Sequence, residues 1–133
     1  MIPGSENSLV EHALSDSLLE YSSQTNGSTA SVSGLFCFSE SLEFFPGHFP
    51  GQPVFPAFLQ FVLVRLLVER TLDLALDIIE IGKTKFSSII RPGEEVRVLI
   101  DIRETADDIN AKFKIYCSDN LASTGIIIYR IGK

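Results

Sequence analysis

Phe45-Pro46-Gly47-His48-Phe49-Pro50-Gly51-Gln52-Pro53-Val54-Phe55-Pro56 is the stretch on which the fold turns. One histidine stands among four prolines and two glycines, and the segment runs directly into the longest apolar run of the chain, residues 57–68. Proline restricts φ and glycine opens the positive-φ region, so such a loop can hold one defined path. A rigid loop that carries an imidazole to the mouth of a hydrophobic segment is the first place to look for chemistry. From residue 57 to about 74 the chain is apolar on nearly every face, and the length favours helix over strand. A helix that is hydrophobic all round is expected to be buried all round.

Working outward, Ser8-Leu9-Val10-Glu11 has capping-box form, and Leu9, Val10, Ala13, Leu14 and Leu18 continue at helical spacing, which predicts a short N-terminal helix. Residues 22–29 are rich in Ser, Thr, Gln, Asn and Gly and read as a loop. Residues 30–39 read as a strand. Beyond the helix, residues 78–88, 94–104, 110–118 and 122–131 each read as a strand by β-branched content or alternation. Arg91-Pro92-Gly93, Asp107-Asp108 and Ser118-Asp119-Asn120 supply the turns between them. The order predicts an α+β fold, an antiparallel sheet wrapped around one long central helix, in a single domain spanning 1–133. In that division residues 1–29 form an N-terminal helix and loop and residues 30–133 the core.

Composition narrows the function classes. The 133 residues are 45% hydrophobic, which argues for a packed domain rather than disorder. The formal net charge of −6 speaks against nucleic acid, since phosphate binding needs a basic face. Every Lys and Arg lies at or beyond Arg65, and Lys83, Lys85 and Arg91 read as solvated strand and turn residues. Cys37 and Cys117 make no metal-ligand spacing with His12 or His48, so neither a metal nor another cofactor is expected. Both cysteines read as small buried apolar residues, and His12 reads as exposed on its helix. The apolar run is too short for a membrane span, and no charged-then-apolar leader opens the chain. A cytoplasmic setting is the expectation.

The segment from His48 to Pro56 resembles the signature of the hot-dog-fold β-hydroxyacyl-[acyl-carrier-protein] dehydratases. There a histidine loop leads through a Pro-x-x-Pro-Gly step into the central helix. Lys85-Phe86, Arg91-Pro92-Gly93-Glu94, Lys112-Phe113 and Ala122-Ser123-x-Gly125 resemble the family's later strands in the right order, so the likeness covers residues 30–131. Gln52 and Gln60 make the chain most similar to the dehydratase-like proteins of aryl-polyene clusters. The resemblance implies that His48 takes the α-proton of a (3R)-3-hydroxyacyl thioester of acyl-carrier protein or CoA. It also implies that backbone N–H groups at the helix start hold the thioester oxygen, with Phe49, Pro53, Pro56, Ala57, Phe58 and Val62 lining the acyl site. The family works as a dimer, so a homodimer or a second hot-dog subunit is the expected partner. Fatty-acid or polyene metabolism is the implied setting.

The chain departs from that pattern twice. The family's carboxylic acid lies fourteen residues after the histidine, where this sequence has Val62, and the glycine after the second proline is Ala57. Ala57 keeps its N–H. Val62 can neither give nor take a proton, and an acid–base group is typically worth ~10²–10⁴-fold in rate. No nearby residue replaces it: Gln60 is about 200° away around the helix, and Glu69 is roughly 10 Å further along the axis. Arg65 stays protonated, and nothing in the sequence folds Glu43 back. Three functions therefore stand: a dehydratase with His48 as base, a catalytically silent subunit that binds acyl chains or completes a heterodimer, and a hot-dog acyl thioesterase.

Overall fold

A computed structural model describes residues 5–42 and 54–132. The described elements are α1 (Ser5–Asp16), β1 (Leu18–Asn26), β2 (Thr29–Cys37), α2 (Ala57–Leu72), β3 (Leu76–Ile81), β4 (Lys85–Phe86), β5 (Glu95–Glu104), β6 (Ile109–Cys117) and β7 (Asn120–Ile131). The strands form one antiparallel sheet in the order β1-β2-β5-β6-β7-β3, with β4 also paired to β7. A long helix held against an antiparallel sheet is the hot-dog arrangement expected above. No helix among the described residues is long and apolar enough to cross a membrane.

Period-two alternation builds the sheet's inner face. Val96, Val98, Ile100 and Ile102 of β5 are buried, and they stand opposite Cys117, Ile115, Phe113 and Ala111 of β6, which are buried too. Against this face α2 sets Leu59, Leu63, Val64, Leu67 and Val68, each no more than 3% exposed. Full burial of an aliphatic side chain is worth ~1.5–3 kcal/mol, so this contact alone is large beside the net stability of a domain.

Four expectations need correction. Residues 22–29 do not form a loop: β1 runs through Asn26 and pairs with β2, turning at Gly27, whose φ of +62° suits a two-residue hairpin. The stretch is polar because almost all of β1 is exposed at a sheet edge, and pairing with β2 rather than propensity makes it a strand. Leu18 consequently belongs to β1 and not to the N-terminal helix. Residues 78–88 form two strands, because the three residues between Ile81 and Lys85 face the two between Ile127 and Thr124 on β7. Gly82 donates its N–H to the Ile126 carbonyl at that break.

Finally, α2 is not buried all round. Ala57, Phe58 and Arg70 are exposed, and Phe61, Val62, Arg65 and Leu66 are half-buried, because the sheet covers one side of the helix only. The helix also stops at Leu72, where Asp73 adopts a left-handed conformation (φ 56°) and returns its N–H to the Glu69 carbonyl.

One close approach makes a prediction. Phe113 stands opposite Gly125, and a Cβ at Gly125 would lie 2.8 Å from its ring and 2.8 Å from Thr84 Oγ1. Phe113 is 1% exposed and Phe61 meets its ring edge-on with centroids 6.2 Å apart, so little space is open for the ring to move into. Gly125→Ala is expected to lower unfolding stability by about 2 kcal/mol, read as a drop in the urea midpoint with unchanged slope.

Candidate active site

The histidine loop ends where the description resumes. Phe55 is 2% exposed and donates its N–H to the Ile90 carbonyl at 2.7 Å. Its ring stacks on Phe38 (centroids 4.6 Å apart, 15° between planes), and Phe38 stacks on Phe36 at 5.6 Å. Gly93 donates its N–H to the Phe38 carbonyl at 2.8 Å, its φ of +83° being one that glycine adopts freely. The end of β2, the Arg91-Pro92-Gly93 turn and the loop's exit are thus tied at one point. His48, Phe49 and Pro53 lie outside the described residues, as does Glu43.

From that anchor the chain enters α2 through Pro56, buried and extended (φ −61°, ψ 140°), with no side-chain hydrogen bond capping the helix among the described residues. The first N–H groups of a helix have no intrahelical partner and carry the positive end of its dipole. Ala57 and Phe58 of this first turn are exposed, Phe58 at 65%. The alanine in place of the family glycine suits a first helical position, so it costs the helix nothing. Of the six lining residues expected from the resemblance, Pro56 stands at the cap of α2, and Ala57, Phe58 and Val62 fall on its first two turns. Val62 is half-buried and packs against the core.

Two polar clusters that sequence reasoning missed lie along the same helix. Gln60, 3% exposed, accepts a hydrogen bond from the fully buried Ser123 hydroxyl at 2.7 Å, which joins α2 to β7. The 200° offset from Val62 indicated that Gln60 faces away from it, but not that a serine 63 residues later would meet it. Further on, Arg65 pairs with Glu11 of α1 and Glu69 of its own helix, both at 3.0 Å. The second Glu69 oxygen accepts the Leu76 N–H at 2.8 Å. Burial opposes the charge on Arg65, but the two carboxylates outweigh it and hold its pKa above the ordinary value. An arginine inside an apolar run was the signal for this cluster; its partner on α1, 54 residues away, had none.

Cys117 is buried as expected, while Cys37 is half-buried. Burial pushes the Cys117 thiol up to about 11, with Glu94 3.2 Å away, so it is not a thiolate nucleophile near neutrality. The hydroxyl of Tyr129 is buried with no hydrogen-bond partner among the described residues, and burial raises its pKa as well.

The sequence matches the ApeI-like family model, described as ApeI dehydratase, over residues 22–126. It is 29% identical over 93 residues to a 3-hydroxyacyl-[acyl-carrier-protein] dehydratase, FabZ, of Caulobacter sp. (strain K31). That alignment covers 63% of this chain and 56% of the relative, so the chain spans little more than half of the relative's length. Among solved structures, the dehydratase heterocomplex ApeI:P of Xenorhabdus doucetiae superposes with a TM-score of 0.67 at 23% identity, covering 85% of this chain and 96% of that one. The fluoroacetyl-CoA thioesterase FlK superposes with a TM-score of 0.66 at 11% identity, covering 77% and 84%. These two likenesses establish the shared fold.

Because Gln60 and Ser123 are each other's buried partner, Ser123→Ala leaves the Gln60 carbonyl unpaired. A loss of roughly 1–3 kcal/mol is expected by chemical denaturation, and the double variant Ser123→Ala with Gln60→Leu should recover part of it.

Proposed function

This chain belongs to the ApeI-like dehydratase family, and from that membership we propose that it acts on (3R)-3-hydroxyacyl thioesters of acyl-carrier protein or CoA, with His48 as the base. The observation that carries this reading is the uncapped start of α2, pinned through Phe55 immediately behind the histidine motif. In the proposed reaction the thioester carbonyl accepts hydrogen bonds from the first N–H groups of α2. Negative charge developing on that oxygen as the α-proton leaves is stabilised there. The imidazole of His48 takes the proton, the C–O bond to the β-hydroxyl breaks as the double bond forms, and the hydroxyl leaves as water once it receives a proton, from the His48 imidazolium or from an acid on a partner subunit. The departing hydroxyl needs a proton, and Val62 cannot supply it. A slow enzyme follows if this chain works alone.

A second reading is favoured by the same Val62. The Xenorhabdus neighbour is described as a dehydratase heterocomplex, and a partner subunit with a carboxylate at this position would complete the site. Strand β3 supports a subunit contact: it ends the sheet, and Ile78, Ile79 and Ile81 on it are 39%, 42% and 45% exposed. In a homodimer Val62 is proposed to lie within side-chain reach of the partner's His48, and in a heterodimer His48 of this chain is proposed to face the partner's carboxylate.

Purified protein is expected to convert 3-hydroxybutyryl thioester to the enoyl product, and His48→Ala should cut the rate by about 10²-fold or more. An unchanged rate in a folded His48→Ala variant would remove His48 from the reaction. Val62→Glu is expected to raise the rate by about tenfold or more. Activity that appears only when a second, carboxylate-bearing hot-dog subunit is added selects the heterodimer over the autonomous enzyme.

A further inference from the structure

We propose that Arg65 is a specificity-determining residue that limits the length of the acyl chain this protein accepts. The inference rests on the acyl-thioester reading above and adds to it the identity of the end-stop. A chain whose carbonyl sits at the start of α2 has one direction open to it. The sheet side of the helix is filled by Leu59, Leu63, Val64, Leu67 and Val68, all 3% exposed or less, and Gln60 there is bonded to Ser123. Protein interiors are packed as densely as organic crystals, so that side leaves no room for a row of methylenes.

The opposite face begins apolar. Phe58 is 65% exposed and Val62 is half-buried, and the two lie about 40° apart around the helix. Two residues follow on this face, the half-buried Leu66 about 40° to one side of Val62 and Arg65 about 60° to the other, and then Glu69, about 20° from Val62. The apolar strip therefore meets charge along its Arg65 edge about 12 Å from Ala57. That length holds roughly eight to ten carbons at carbon–carbon bonds near 1.5 Å.

Arg65 is held against being pushed aside. Its two terminal nitrogens each bind a carboxylate at 3.0 Å, Glu11 from α1 and Glu69 from α2, and Glu69 is fixed in turn by the Leu76 N–H. A longer chain must either break these charge-assisted bonds or lay hydrocarbon over the ions, and both oppose binding. With both carboxylates engaged, the guanidinium acts as a barrier rather than as a receptor for an anionic tail.

The test is a series of 3-hydroxyacyl thioesters from about four to sixteen carbons, assayed on the full-length protein and on Arg65→Met and Arg65→Lys. For the unsubstituted protein kcat/KM is expected to fall about tenfold or more beyond roughly ten carbons, mainly through KM. Arg65→Met should raise the ratio of long-chain to short-chain efficiency about tenfold, while Arg65→Lys, which keeps the charge, should retain the cut-off. Undiminished efficiency through sixteen carbons in the unsubstituted protein overturns the proposal whatever the variants do. A cut-off that stays at the same length in a folded Arg65→Met variant overturns it as well. If no thioester is turned over, calorimetric binding of saturated acyl-CoA esters reads the same length profile. Binding of none of them refutes the acyl-thioester reading itself, a result distinct from binding without length discrimination.

Discussion

The contact between one side of α2 and the inner face of the sheet is the constraint on which the remaining structure depends. Leu59, Leu63, Val64, Leu67 and Val68 recur at the three- and four-residue spacing that puts them on one side of a helix. The alternating residues of β5 and β6 present a matching apolar surface with a period of two. Each element hides its apolar side only in the presence of the other. The helix start, and with it the end of the histidine loop, is placed by this packing and by the Phe36–Phe38–Phe55 stack, with no capping side chain among the described residues.

That way of placing the helix has a chemical consequence. A helix capped by Ser or Asp spends its first N–H groups on its own side chain. Proline at the cap position leaves them to other partners, and burial of Pro56 and Phe55 holds them at a fixed place. The same helix is divided lengthwise. Its sheet side is closed by packing and by the Gln60–Ser123 bond, and its outer side passes from Phe58 and Val62 to the ion cluster around Arg65. Position along one helix thus separates a start that no described side chain caps, a half-exposed apolar strip and an ion cluster.

Much of this was legible in the sequence. The histidine motif, the long apolar helix behind it and the strands β5, β6 and β7 follow from residue type and spacing, because each has a local signal: proline and glycine punctuation, an unbroken apolar run, alternation. The edge strand β1 had none. Its Ser, Gln and Thr residues are exposed, and only the ladder to β2 makes them a strand. The break between β3 and β4 was equally silent, because the mismatch of three residues against two exists only in the register with β7.

The sequence by itself determined the family, the fold class and the absence of a carboxylate at position 62, because these depend on residue identity and on spacing along one chain. Tertiary structure alone decided that α2 has one side closed by the sheet and another only partly covered, that Gln60 is bonded to Ser123, and that Arg65 is held by Glu11 and Glu69. The physical reason is sequence separation. Serine 123 and glutamate 11 lie 63 and 54 residues from their partners on α2, and only packing of the elements between them brings the polar groups within hydrogen-bond range.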